Sequence, residues 1–171
     1  MIGSNVIIRL VVGVIVERRK AKSPWIDYTW AAVEVLDGEP AAEPWTVLSD
    51  DGERATFYAG TATLDLYRTE TGNYRDNLAS GAASVWVALT ETGGHPPYAI
   101  AAATVDPAEG EALTQPGSLV EAVPMPETIR HTLAEFVARH HVETAFVKRK
   151  RDRADPEALA RRLPVGGKTD D

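Results

Sequence analysis

The chain has 171 residues, of which 44% are hydrophobic and 25% are charged, which is the balance of an ordinary globular protein that can bury a core. Since domains usually hold roughly 100 to 200 residues, the length indicates one domain. The chain contains no cysteine, which excludes disulfides, thiolate metal sites and a cysteine nucleophile.

The formal net charge of -7 is unevenly distributed along the chain. Residues 148–163 hold seven Lys or Arg against three Asp or Glu, a local charge of +4 that leaves -11 on the remainder. An acidic body disfavours general binding of nucleic acid, because most of its surface repels the phosphate backbone. Contact with a polyanion would therefore be confined to this basic segment.

The longest apolar run, over residues 6–16, is too short for a membrane helix, which needs about 20 residues. A secretory signal carries its positive charges before the apolar run, whereas here Arg18, Arg19, Lys20 and Lys22 follow it. We therefore expect a cytoplasmic protein without membrane contact.

The first half of the chain predicts β-strands. β-branched residues and alternating patterns place strands at 6–17, 28–36, 45–48, 54–58 with an extension towards 66, 84–90 and 98–105. Gly13, in the middle of the first strand, indicates a bulge or a close backbone approach. The turn-forming residues Asp50, Asp51 and Gly52 predict a hairpin between the third and fourth strands.

Helices are predicted mainly at the end of the chain. Asp106 followed by Pro107 predicts a capped short helix that ends near Leu113. Pro126 opens the main helix, 126–141, whose apolar stripe is expected to pack on the sheet. The stripe comprises Ile129, Leu133, Phe136, Val137 and His140. A last short helix is predicted over 155–163, followed by a disordered end.

These elements predict an α+β fold, with an antiparallel, strongly curved sheet or half-open barrel of about six strands packed by the C-terminal helix. The order of elements is similar to that of a pleckstrin-homology domain. We expect one globular domain over residues 1–147 and a basic tail over 148–171.

The basic run is the first candidate site. It comprises Lys148, Arg149, Lys150, Arg151 and Arg153. Such a run is typical of a solvated face, but here it follows the apolar pair Phe146 and Val147, which would hold the charges in a fixed place. An acidic protein surface is the favoured partner, ahead of nucleic acid, because no aromatic residues that could stack on bases interleave the charges.

Two further candidates lie in the first half of the chain. Residues 70–77 are dense in polar groups and could form a ligand loop through Glu70, Asn73, Tyr74 and Asn77, although these residue types are equally common in structural turns. The aromatic residues Trp25, Tyr28, Trp30 and Trp45 could line a binding groove, or they could simply fill the core. Trp25 follows a proline and precedes a strand, so we expect it to be partly exposed and to contribute to partner binding.

The sequence offers little sign of catalysis. It has no glycine-rich phosphate loop, nucleophile elbow or zinc signature, so no catalytic residue and no cofactor is predicted. The adjacent His140 and His141 point about 100 degrees apart on a helix and do not favour one metal ion. Packing of His140 on the apolar stripe is the better interpretation, and no metal is expected.

Several segments together resemble an uncharacterised bacterial family, a domain of unknown function. They are Ser23-Pro24-Trp25 with Trp30, Tyr58-Ala59-Gly60-Thr61 with Leu64 and Leu66, Glu70-Thr71 with Tyr74 and Asn77-Leu78, Val123-Pro124-Met125-Pro126, and His140-His141-Val142-Glu143 with Phe146-Val147-Lys148-Arg149-Lys150-Arg151. Genes of this family often lie near those for molybdenum-dependent formate dehydrogenase and its maturation factors. The resemblance implies an accessory role around a molybdoenzyme, and it supplies no activity or catalytic residues.

Three functions follow as hypotheses. The first is a non-enzymatic binding or maturation adaptor for a protein partner, such as a molybdoenzyme component. The second is a small-ligand or nucleotide-handling enzyme that uses residues 70–77. The third is a nucleic-acid contact through residues 148–153. The sequence does not indicate an oligomeric state.

Overall fold

A computed structural model of the chain describes residues 6–141. The strands are β1 (Val6–Lys20), β2 (Tyr28–Asp37), β3 (Thr46–Asp50), β4 (Arg54–Tyr67), β5 (Ser84–Glu91), β6 (Tyr98–Thr104) and β7 (Ser118–Pro124). The helices are a 3-10 turn (Arg68–Glu70), α1 (Thr71–Ala79), α2 (Pro107–Ala112) and α3 (Glu127–His140). The predicted basic tail and its short helix lie outside the described residues.

The strands form two antiparallel sheets. The first has four strands in the order β2-β1-β4-β3, and the second has three in the order β6-β5-β7. β4 lies beside β6 and β2 lies beside β7, yet the two sheets do not close into a barrel. The α+β class is therefore confirmed. The predicted curved sheet or half-open barrel of about six strands with a pleckstrin-homology-like order is not confirmed, since the described residues form two sheets of four and three strands.

Strand β7 was missed because its sequence alternates poorly. It is an edge strand that is paired only with β5, and only Val123 of its seven residues is buried. A strand with so little burial carries a weak hydrophobic period, and the pairing that defines it depends on a strand almost 30 residues away.

The core is organised by the alternation of β1. Val12, Val14 and Val16 all turn inward and are fully buried. They pack with Leu64 and Leu66 of β4 and with the inward row of β5, formed by Val85, Val87 and Leu89. β1 can supply this central row because it pairs with β2 on one side and with β4 on the other, which leaves no free edge along most of its length.

Gly13 faces the opposite side of β1, where the connection from β2 to β3 passes. A Cβ at this position would lie 2.9 Å from Cδ of Pro40 and 3.2 Å from the ring of Tyr58. Glycine therefore permits the connection to lie directly on the strand, and the predicted close backbone approach is confirmed.

The predicted hairpin between β3 and β4 is confirmed. Oδ1 of Asp51 accepts hydrogen bonds from the backbone N–H groups of Glu53 at 2.9 Å and Arg54 at 2.7 Å. These donors stabilise the carboxylate and hold the pKa of Asp51 below its usual value.

Helix α3 closes the core at one end, as its sequence predicts. Ile129, Leu133, Phe136 and Val137 are buried, and the ring of Phe136 lies 6.1 Å from that of Tyr74 in α1. Within residues 6–141, every helix is too short or too polar to cross a membrane.

Two helical glycines provide a matched test of how tightly α2 packs on the sheet. A Cβ on Gly110 of α2 would lie 2.5 Å from Cγ of Trp86, whereas a Cβ on Gly72 of α1 would meet nothing within 4 Å. We expect Gly110→Ala to lower the free energy of unfolding by about 1 to 3 kcal/mol through overpacking. Gly72→Ala is the control and should raise that free energy by up to about 1 kcal/mol.

Urea unfolding followed by tryptophan fluorescence measures both changes. Equal effects of the two substitutions would show that α2 does not pack tightly on Trp86.

Candidate functional site

The structure shows different surroundings for the predicted site residues. Trp25 lies in the connection between β1 and β2, residues 21–27, which we call the tip, and it is 91% exposed, more than the partial exposure expected. Lys148, Arg149, Lys150, Arg151 and Arg153 lie outside the described residues.

Residues 70–77 are helical, so the prediction of a loop was wrong. They span the end of the 3-10 turn and most of α1. The segment is rich in turn-forming residues, but Tyr74 and Asn77 stand three positions apart and both turn inward. Tertiary contacts of these two side chains therefore outweigh the turn propensity of the segment.

Asn77 is a structural residue. Its side chain is buried, and Nδ2 donates to the carbonyl groups of Ser84 and Val105, at 2.9 Å in each case. Oδ1 accepts from the backbone N–H of Ser84 at 3.0 Å. The amide thus connects α1 to the start of β5 and to the residue after β6, and it has little remaining capacity for a ligand.

Tyr74 is also committed to the fold. Its phenol oxygen accepts a hydrogen bond from the backbone N–H of Tyr67 at 2.9 Å. Burial raises the pKa of Tyr74 to about 12, and the nearby carboxylate of Asp106 contributes to the rise.

Asn73 and Glu70 form a polar link between helices. Nδ2 of Asn73 donates to Oε2 of Glu70 and to Oδ1 of Asp106, at 3.1 Å in each case. Asp106 is the predicted N-cap of α2 and accepts from the backbone N–H of Ala108 at 2.9 Å. The polar groups predicted to bind a ligand are therefore hydrogen-bonded largely to one another and to the backbone.

The two histidines have different partners. The His140 ring lies 4.6 Å from that of Phe136, which confirms its packing on the apolar stripe. Nδ1 of His141 lies 3.0 Å from Oγ1 of Thr71. Among residues 6–141, no three His, Asp or Glu side chains are grouped so that they could hold a metal ion.

A cluster of aromatic rings lies at the end of the four-stranded sheet opposite α3. The Trp30 ring stacks on Phe57 at 5.7 Å, lies 6.1 Å from Tyr98 and meets Trp45 edge-on at 6.3 Å. The four rings come from β2, β4, β6 and the residue before β3, so this cluster joins the two sheets. It continues the core towards solvent, since all four rings are only partly buried.

Arg18 lies on this cluster. It follows Val16 on the inward face of β1, and its guanidinium carbon is 4.5 Å from the ring centre of Tyr28, 5.5 Å from Phe57 and 5.9 Å from Trp30. Cation–π attraction holds the planar group against these rings. We call Arg18, Tyr28, Trp30, Trp45, Phe57 and Tyr98 the aromatic end.

Exposed apolar residues border the aromatic end. In the tip, Ile26 is 55% exposed beside Trp25, and Tyr28 begins β2. On the other side, edge strand β3 is exposed along its whole length, including Val47 and Leu48. Grouped apolar exposure of this kind is typical of an interaction surface, whereas single exposed apolar residues are common.

Charges of both signs surround the tip, since Asp27 lies within it and the carbonyl of Glu53 accepts from the N–H of Lys20 at 2.8 Å. Glu17 pairs with both Arg19 and Arg54, so one nearly buried carboxylate serves two guanidinium groups. Lys20 and Lys22 are exposed beside it. An exposed apolar tip with charges of both signs beside it is suited to a surface that offers apolar pockets and complementary charges.

The sequence pointed to Trp25 but not to Arg18, Phe57 or Tyr98. The one available signal was the alternation of β1, because Arg18 continues the series of Val12, Val14 and Val16. The aromatic rings that contact Arg18 come from β2 and β4. Their approach to Arg18 depends on strand register and on the packing of the two sheets.

The buried phenol of Tyr74 predicts a pH-dependent stability. An unfolded tyrosine loses its proton near pH 10, whereas the folded one holds it to about pH 12, so the contribution is present below about pH 10 and is lost from about pH 10 to 12. Tyr74→Phe leaves the N–H of Tyr67 without its partner and should cost about 1 to 3 kcal/mol at pH 8.

The difference in free energy of unfolding between wild type and Tyr74→Phe should therefore narrow as the pH rises from 8 to 11, measured by urea unfolding. Val87→Ala in the buried row of β5 is the control, because it carries no titrating group and its deficit should stay constant. A Tyr74→Phe deficit that is the same at every pH would contradict this prediction.

Two neighbouring substitutions separate structure from ligand binding in α1. Asn77→Asp places a carboxylate against two carbonyl oxygens and should cost more than about 3 kcal/mol. Asp76→Asn is the reverse change at an exposed position and should stay within about 0.5 kcal/mol of wild type. A stable Asn77→Asp protein in thermal unfolding would show that this amide is not a structural link.

Comparison with known proteins gives a family and no relative of known activity. No curated protein and no solved structure matches the chain. One family model, described as "Protein of unknown function (DUF3305)", matches residues 11–150, which cover every strand and helix described above except the first five residues of β1. The chain therefore belongs to the DUF3305 family of proteins of unknown function.

Proposed function

We propose that this protein is a non-enzymatic binding or maturation adaptor that recognises a protein partner through the tip and the aromatic end. The observation that carries the proposal is the exposed pair Trp25 and Ile26. Both side chains stand in a short connection whose ends are held by the β1–β2 pairing and by a hydrogen bond from the N–H of Ala21 to the carbonyl of Asp27, at 2.9 Å. The backbone that carries these two side chains is already fixed by this pairing and hydrogen bond. A partner that binds them therefore needs to order little additional backbone, which lowers the entropic cost of binding.

The residue types support protein binding. Trp, Tyr and Arg are the residues most often found at the energetic centres of protein interfaces, and a Trp or Tyr ring buries about 150 to 250 Å². Trp25, Tyr28 and Arg18 occupy adjoining parts of this surface. The exposed β3 edge with Val47 and Leu48 extends it.

The partner is proposed to have an acidic surface. Lys20 and Lys22 beside the tip, together with Lys148, Arg149, Lys150, Arg151 and Arg153, would favour such a partner on a chain whose remaining charge is negative. The family resemblance suggests a molybdoenzyme component, such as one of formate dehydrogenase, as that partner in the cytoplasm. Residues 70–77 are weaker candidates for ligand binding because Tyr74 and Asn77 are engaged within the fold.

Purification of the tagged full chain from its native cells, followed by identification of the bound protein, tests the adaptor role. Trp25→Ala should weaken retention of that protein by about tenfold or more while the melting temperature stays within about 2 °C, because the ring is exposed. Val11→Ala, an exposed apolar residue on β1 outside this surface, is the control and should bind normally. Full retention by Trp25→Ala would exclude the tip as the docking surface.

The basic run is tested in the same assay. A variant with Lys148→Ser, Arg149→Ser and Arg151→Ser should keep its melting temperature, because exposed charges contribute little to stability. Its binding should weaken at low salt and approach that of wild type at moderate salt, where screening removes the attraction. Equal retention of the partner by both proteins at both salts would show that these charges are only solvated.

A further inference from the structure

We propose that Arg18 is a carboxylate-binding residue that receives an Asp or Glu side chain of the partner, carried on a segment with an apolar residue beside it. This inference rests on the proposed function and specifies the chemistry of the partner. It assigns to the aromatic end a specific polar contact, in addition to its apolar area.

The first argument is that the guanidinium is held in place before any partner arrives. Three rings surround it, at 4.5 Å for Tyr28, 5.5 Å for Phe57 and 5.9 Å for Trp30. An arginine at an interface normally loses rotamer freedom when it binds, and this loss opposes binding. Here the rings have already restricted the side chain, so less freedom remains to be lost.

The second argument is that Arg18 forms an ion pair but no side-chain hydrogen bond within residues 6–141. Its nearest carboxylate oxygen, Oδ2 of Asp50, is 3.8 Å from an Nη atom, which is beyond hydrogen-bond distance. Arg9 differs, because its Nε donates to Asp65 at 2.8 Å, and Arg19 and Arg54 both pair with Glu17.

Burial makes this lack of an acceptor significant. The side chain of Arg18 is 26% exposed, against 62% for Arg9 and 51% for Arg54. The ion pair with Asp50 offsets part of the cost of removing this cation from water, but its N–H groups still have no hydrogen-bonded acceptor among the described residues. The guanidinium presents a planar pair of N–H groups that matches the two oxygens of a carboxylate.

The surrounding charge favours a carboxylate over a phosphate. Asp50 stands 3.8 Å from the guanidinium, and it would repel a doubly charged phosphate more than a singly charged carboxylate. The chain as a whole carries -7, which opposes a polyanion such as nucleic acid. Exposed Tyr28 and Val47 on either side would contact apolar residues next to the acid.

Peptide titration of the full-length, ¹⁵N-labelled protein tests the inference without knowledge of the partner. The probe is acetyl-Leu-Glu-Leu-Glu-Leu-amide, the matched control is acetyl-Leu-Gln-Leu-Gln-Leu-amide, and a third arm uses adenosine monophosphate. We expect the Glu peptide to shift the Arg18 Nε–H and Trp30 indole N–H signals saturably. The Gln peptide should bind more weakly by at least about tenfold, because it offers no charge to the guanidinium.

Variants identify the contact as that of Arg18. Arg18→Gln should abolish saturable binding of the Glu peptide, and Arg18→Lys should weaken it about tenfold, because an ammonium group lacks the planar pair of donors. Arg9→Gln, at the other end of β1, is the matched control and should bind as wild type does. Thermal unfolding verifies that each variant is folded, and Arg18→Lys keeps the test valid if Arg18→Gln does not fold.

Three results would overturn the inference. They are equal binding of the Gln and Glu peptides, undiminished binding by Arg18→Lys, or tighter binding of adenosine monophosphate than of the Glu peptide. The last result would assign the site to a nucleotide. The adaptor proposal is judged separately by Trp25→Ala: if that variant loses the native partner while the peptide arms fail, the adaptor stands and the role of Arg18 falls.

Discussion

The structure depends on the central position and the length of β1. The strand runs for 15 residues and is paired on both sides over most of them, so its inward-facing side chains form the central row of the core. Val12, Val14 and Val16 are fully buried in that row. Arg18 continues the same row beyond the buried part of the core. The inward-facing side chains of β1 therefore extend from the buried core to a partly exposed surface. The aromatic end lies where the core meets that surface.

A cation at the end of a core row requires a particular environment. Placed among aliphatic side chains, Arg18 would lose hydration without compensation. Aromatic rings provide that compensation, because the negative faces of their π systems attract the guanidinium. The same rings cover the end of the core, which is open where the two sheets do not close into a barrel. The aromatic end therefore stabilises the fold and presents a polarised surface at the same time.

The sequence predicted well what depends on local periodicity. Strands β1 to β6, the β3–β4 hairpin and the buried stripe of α3 all follow from spacing of apolar residues and turn chemistry, and the structure agrees with them. The division into two sheets could not be predicted, because it depends on which distant strands pair. Helix α1 was missed since its inward side chains, Tyr74 and Asn77, are polar and give almost no apolar stripe.

The same distinction applies to the candidate site. The exposure of Trp25 could be predicted because a preceding proline and a following strand place it in a turn. The role of Asn77 could not, because its three hydrogen bonds reach backbone groups of β5 and of the residue after β6. A dense polar segment is compatible with a ligand site or with a set of internal links. The difference lies in whether its donors and acceptors already have partners.

This criterion also separates the positions that can report on function from those that cannot. Trp30 and Phe57 contribute to both the core and the surface, so loss of binding after their replacement would not distinguish a lost contact from a damaged fold. Trp25 lies outside the core, and Arg18 has a charge that the described part of the chain leaves without a hydrogen-bonded acceptor. The buried side chains of α1 and α3, among them Tyr74 and Phe136, lie away from the tip. Recognition can therefore change at the tip and at Arg18 with little effect on the packing that holds the fold together.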